Sequence, residues 1–178
     1  YSEGVVLLID EAYYPFYNET YCKYTSKYQN LIITRTFSKA WGLAGLRLGY
    51  IIANPELIKY FNKIKPMYEI GSYSIAFIEK FLDYYDEMKK SVNRINNGKN
   101  FFIEKMMLNS LPVYNNEGNF LHVSFQGISN KIHDQLDKIV LYRRDFDANC
   151  LNGFSRFTST TKENFMPIIK IIENNIKK

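Results

Sequence analysis

"VVLLIDEAYYPF", Val5 to Phe16, frames the rest of the chain. Val5–Ile9 is a continuous apolar run rich in β-branched residues, the pattern of a strand buried on both faces. It ends abruptly in Asp10 and Glu11. Leu31–Thr34 is a second such run and leads into the polar cluster Thr36-Phe37-Ser38-Lys39. Leu48–Ala53 is a third, closed by Asn54-Pro55. In an open parallel sheet, ligands gather beyond the carboxyl ends of the strands. If the first two strands are neighbours, Asp10 and Lys39 face one crevice, an anion opposite an amine. Arg47 follows a turn containing Gly42 and Gly45, whose missing side chains let the backbone approach a ligand closely.

Further along, Pro55–Ile64 reads as a helix with proline in its first turn. Ile75, Phe77, Ile78, Phe81, Leu82 and Tyr85 recur at helical spacing within Ser72–Arg94, and Asn100–Leu108 continues the pattern across Asn96-Asn97-Gly98. After Pro112 the character changes. Val113-Tyr114, Phe120–Phe125, Val140–Tyr142 and Ser155–Ser159 read as strands. Asn130–Ile139 and Lys162–Ile176 read as helices. The chain is expected to divide into an α/β part, residues 1–90, and a small α+β part, residues 91–178.

Composition narrows the possibilities. The 178 residues are 46% hydrophobic, 16% aromatic and 23% charged, with both signs mixed. That suits a folded core and not a disordered chain. A net charge of +5 is a mild bias that phosphate-bearing small molecules explain as well as nucleic acid does; with no long Lys/Arg block and none of the best-known nucleic-acid signatures, no nucleic-acid partner is expected. Cys22 and Cys150 form no C-x-x-C, so a reducing cytoplasm is expected. His122 and His133 have no partner at metal spacing, and no metal is expected. No apolar run is long enough to span a bilayer, so no membrane partner is expected. The chain opens in a strand-like run without an initiator Met, as the middle of a longer protein would.

Two chemistries fit the acid-and-lysine frame. "VVLLIDEA" has the shape of a strand carrying a magnesium-binding acid, as in a nucleotide-dependent ATPase. The matching G-x-x-x-x-G-K-[ST] loop is absent from the chain and would have to lie upstream.

The second chemistry uses all the pieces. "DEAYYPF" and "TFSKAWGLAGLRLGY" resemble the pyridoxal-phosphate enzymes of the aspartate-aminotransferase fold, and most closely the histidinol-phosphate aminotransferase branch. The resemblance continues more weakly through "GNFLHVSF" and "FSRFTST". It implies an α/β fold: part of the large domain of a fold-type-I enzyme, mostly parallel sheet with helices, then a small α+β C-terminal domain. The chain would correspond to the C-terminal half of such an enzyme, with the family's phosphate-cup glycines and the aromatic that stacks on the pyridine ring upstream of residue 1, so the resemblance implies that the 178 residues alone are inactive.

The resemblance implies pyridoxal 5'-phosphate as cofactor and assigns roles to residues. Lys39 would form the Schiff base with the cofactor and move the substrate Cα proton. Asp10 would pair with the pyridine nitrogen. Tyr13 would hydrogen-bond the ring oxygen. Arg47 would grip the phosphate together with Thr36 and Ser38, and Arg156 would bind the substrate α-carboxylate. The substrates would be an amino acid, or an amino-phosphate compound, and a 2-oxo acid, in amino-acid biosynthesis. The full-length protein would be a homodimer. Glu69, in "PMYEIGSYS", stands where the family commonly has Asn, and "RFTST" lacks the glycine usual after the arginine strand. A decarboxylase of the same fold shares Lys39 and Asp10 and is the nearest alternative. A non-catalytic remnant serving in assembly is the remaining one.

Overall fold

The computed structural model describes residues 4–144 and 146–176. The chain divides into two compact units, residues 1–90 and 91–178. In the first, β1 (Leu7–Asp10), β2 (Leu31–Thr36) and β3 (Gly49–Ala53) form one sheet in that order. β1 and β2 are parallel, with Leu7 opposite Leu31 and Asp10 opposite Thr34. β3 runs antiparallel to β2, with Ile33 opposite Ile52 and Thr36 opposite Gly49. The reversal has a local cause: β2 and β3 are joined by a loop with only a short 3-10 turn, Ala44–Leu46, and no crossover helix that would return the chain in parallel.

β2 is the buried centre of this sheet, and Ile33 is wholly enclosed. β1 departs from the expected two-sided burial. It lies at the sheet edge, and Val5, Val6, Leu7 and Leu8 are 55–58% exposed. Helix α1 (Pro55–Ile64) starts where Asn54 Oδ1 accepts the Glu56 N–H at 3.0 Å, with Pro55 at the first helical position. α2 (Ser72–Phe81) buries only Ile78. Tyr60, Ile64, Tyr73 and Phe77 are also exposed. Apolar edges and faces of this kind invite pairing with another chain. Residues 1–178 expressed alone are therefore expected to self-associate, with a sedimentation coefficient that rises with concentration. A monodisperse monomer would contradict this expectation.

α3 (Tyr85–Leu108) continues unbroken across Asn96-Asn97-Gly98 and leads into the second unit. There β4 (Val113–Tyr114), β5 (Phe120–Ser124) and β6 (Phe154–Thr158) form an antiparallel sheet in that order. α4 (Ser129–Leu136) and α5 (Lys162–Ile176) complete the unit. Its core contains Phe102, Met106, Leu121, Phe125, Phe157 and Phe165. The Phe102 and Phe165 rings lie 4.5 Å apart. The strand expected over Val140–Tyr142 does not form. A single bridge just after it pairs Arg143 with Arg156 of β6, the Tyr142 ring stacks on Phe157 at 4.8 Å, and Leu141 is fully exposed. Among the described residues, no helix is long and apolar enough to cross a membrane.

Candidate active site

Because β1 and β2 are parallel neighbours, their carboxyl ends leave the sheet at one edge. Asp10 is the last residue of β1 and is exposed. Its Oδ1 accepts the Ala12 N–H at 3.0 Å and the Thr34 hydroxyl at 3.2 Å. Two donors thus orient the carboxylate without enclosing it.

The loop after β2 carries Lys39, also exposed. Its ammonium stands 5.8 Å from the Tyr13 ring centroid, so the segments following β1 and β2 meet at this edge. The loop is fastened from within. Thr36 Oγ1 donates to the Leu48 carbonyl at 3.2 Å and accepts the Ser38 N–H at 3.1 Å. The Phe37 N–H donates to Leu48, and the Gly42 N–H closes a turn on the Lys39 carbonyl, both at 3.1 Å. Gly42 has φ of +69°, a conformation that only glycine adopts without cost. The Phe37 ring packs against Tyr50 at 5.2 Å and Trp41 at 6.1 Å, anchoring the loop on both sides of Lys39.

Arg47 ends this loop with φ of 53° and ψ of 42°, in the left-handed region. That conformation costs a non-glycine residue ~1–2 kcal/mol. The side chain is exposed, and its Nη1 donates to the Ala44 carbonyl at 3.1 Å. A left-handed backbone thus presents an exposed guanidinium at the end of the loop that carries Lys39.

Sequence reasoning overlooked an ion pair behind this edge. Arg35 is half-buried, Glu11 is buried, and the two are joined at 2.9 Å. Glu11 also accepts both the Thr20 hydroxyl and the Tyr21 N–H, the latter at 2.7 Å. The Arg35 guanidinium lies 3.7 Å from the Tyr14 ring centroid. The pair ties the segment after β1 to β2. Two signals for it were present: a charged residue inside the apolar strand "LIITRT", and a second acid beside Asp10 that must leave the strand on the opposite face.

Arg156 belongs to the second unit. It sits on β6 opposite His122, with its guanidinium 5.4 Å from the Phe120 ring centroid. His122 is buried, and burial first, then the Arg156 charge, lowers its pKa. His133 Nδ1 lies 2.6 Å from the Tyr142 hydroxyl. Burial is the main cause that pushes that hydroxyl up to about 12. Among the described residues, no group of three or more His, Cys, Asp or Glu side chains is placed to hold a metal ion.

The α/β unit and the small α+β unit that follows it in the chain have the fold of the fold-type-I class. The family model "Aminotransferase class I and II" matches residues 1–170, and the chain belongs to that family. Over 171 residues it is 32% identical to a histidinol-phosphate aminotransferase of Clostridium novyi (strain NT), covering 96% of this chain and 48% of that protein. It is 34% identical over 164 residues to the same enzyme of Caldanaerobacter subterraneus subsp. tengcongensis, covering 91% and 46%. The chain thus spans about half the length of the curated relatives it matches.

Solved structures share the fold. The histidinol-phosphate aminotransferase from Clostridium acetobutylicum superposes with a TM-score of 0.81 at 21% identity, over 97% of this chain and 54% of that one. The Sinorhizobium meliloti enzyme in complex with pyridoxal-5'-phosphate gives 0.78 at 24% identity, over 97% and 49%. A decarboxylase from Sulfurospirillum multivorans gives 0.80 at 21% identity, over 97% and 48%.

Proposed function

We propose that this chain carries the reacting lysine of a pyridoxal-phosphate-dependent aminotransferase, which moves an amino group between an amino acid, or an amino-phosphate compound, and a 2-oxo acid. The observation that carries this reading is the parallel register of β1 and β2, which brings Asp10 beside Thr34 at the edge where Lys39 emerges. Family membership supports it.

The donor set fits the cofactor. An oriented, exposed carboxylate suits a protonated pyridine nitrogen, an exposed amine suits an aldehyde, and an exposed guanidinium on a strained turn suits a phosphate. Pyridoxal phosphate, when bound, supplies an aldehyde that condenses with amines and a ring that accepts electron density from the substrate. Lys39 Nζ would hold the aldehyde and would carry the proton to and from the substrate Cα. Asp10 holds the proton on the pyridine nitrogen. The Tyr13 hydroxyl donates to the ring oxygen. Arg47 and the Ser38 hydroxyl donate to the phosphate. Thr36 sets the loop from which they act, since its own hydroxyl proton is directed at Leu48. Arg156 receives the substrate α-carboxylate. We place the reaction in the cytoplasm and read the full-length protein as a homodimer.

The test is amino transfer by the full-length protein from a panel of amino acids and amino phosphates to 2-oxoglutarate, with carbon dioxide measured alongside. The decarboxylase of the same fold gives the second reading its ground. The two reactions differ in which Cα bond stands perpendicular to the cofactor ring. Amino transfer without carbon dioxide supports the proposal, and stoichiometric carbon dioxide overturns it in favour of decarboxylation. Arg47→Lys keeps the charge but loses the planar fork. It is expected to weaken pyridoxal phosphate binding by about tenfold, the equivalent of one charge-assisted hydrogen bond of ~1.4 kcal/mol. Equal dissociation constants for wild type and variant would remove Arg47 from the phosphate site.

A further inference from the structure

We propose that Lys99 is a positioning residue for Arg156: it clamps the turn before β5 and thereby holds the Phe120 ring against the Arg156 guanidinium. The inference rests on the reading of Arg156 as the carboxylate-binding residue.

Lys99 lies in α3 with only 5% of its surface exposed. A buried ammonium is costly unless its protons are engaged. Its Nζ donates to the carbonyls of Asn116 and, at 2.9 Å, Gly118. Burial lowers its pKa, opposed by the charge of Glu117. The lysine is rooted firmly, because Gly98 lets α3 lie directly on the backbone of Thr160 and Thr161, where a Cβ would collide.

The clamped turn reaches Phe120 through one side chain. Asn116 Oδ1 accepts the Gly118 N–H at 2.7 Å, while Asn116 Nδ2 donates to the Phe120 carbonyl at 2.9 Å. The Asn119 carbonyl accepts the Ser159 N–H at 2.7 Å, which ties the turn to the end of β6. Phe120 opens β5 opposite Thr158, and Arg156 stands opposite His122. Phe120 and Arg156 are therefore diagonal neighbours on one sheet face, within reach of a cation–π contact. The Arg156 backbone is paired on its other side, donating to Arg143 at 2.7 Å and accepting from it at 3.1 Å. Backbone pairing fixes the root of Arg156, and the ring limits where its long side chain points. An arginine so confined loses less freedom on meeting a carboxylate.

The full-length, cofactor-loaded protein provides the test, with L-glutamate as the carboxylate-bearing probe and pyridoxal phosphate titrated separately. Arg156→Gln should weaken L-glutamate by about a hundredfold through loss of a paired charge. Lys99→Met, Asn116→Ala and Phe120→Leu should each weaken it by about tenfold without changing pyridoxal phosphate affinity. Lys99→Arg, which can keep the clamp, should stay near wild type. In an Arg156→Gln background none of the three should add a further loss, since what they position is gone. Asn116→Ala and Phe120→Leu decide the matter if Lys99→Met does not fold. Full additivity in that background, equal weakening of both ligands, or no effect of the three variants beside a large effect of Arg156→Gln would overturn the positioning role alone. An unchanged L-glutamate constant in Arg156→Gln would overturn the carboxylate reading, and the positioning role with it.

Discussion

Borohydride reduction of the full-length, cofactor-loaded protein is expected to fix the mass of pyridoxal phosphate on the peptide carrying Lys39, and Lys39→Ala is expected to lower turnover by roughly 10⁴-fold. The size follows from a double duty. A general base placed at the reacting proton contributes ~10²–10⁴ by itself, and the same amine also holds the aldehyde. Placement supports the assignment. Lys39 emerges from the loop after the buried strand β2, beside Tyr13, on a loop held by Thr36, Phe37 and Gly42. The side chain is exposed, so Lys39→Ala removes little packing and the variant should fold. Its cofactor should bind reversibly and resist reduction onto the protein. A label on any other lysine would sink the assignment.

Asp10→Asn is expected to retain the cofactor and slow removal of the Cα proton by ~10²–10³, or about 3–4 kcal/mol. The amide keeps the shape of the side chain and an oxygen that can still accept from Ala12 and Thr34, so the edge of the sheet should stay intact. What would be lost is the negative charge proposed to keep the pyridine nitrogen protonated when electron density moves into the ring. The effect should appear in single-turnover rates and not in substrate dissociation constants, because the charge matters most when the proton leaves. Unchanged single-turnover rates would separate Asp10 from the chemistry. A collapse in cofactor affinity would assign it to binding instead.

Where chemistry is local, the sequence by itself was sufficient. Helix α1 could be bounded at Pro55 and Ile64 because an N-cap asparagine and a first-turn proline act within a few residues of one another. Family membership was legible in "DEAYYPF" and "TFSKAWGLAGLRLGY", since a tight loop needs particular residues at each step, among them the positive-φ Gly42. The two polar strand ends were visible as well, and the parallel register of β1 and β2 then brought them to one edge.

The rest needed tertiary structure, because it depends on residues distant in the chain. Apolar runs announce strands but not their neighbours, so β1 read as a two-sided core strand and proved to be an exposed edge. The direction of β3 depends on how its loop turns back, which hydrophobicity does not encode. Glu11 finds Arg35 twenty-four residues away, and Lys99 finds Asn116 and Gly118 at separations of seventeen and nineteen. A charged side chain in a sequence reads as surface until the fold encloses it. Only then does the cost of burying a charge make its partners obligatory.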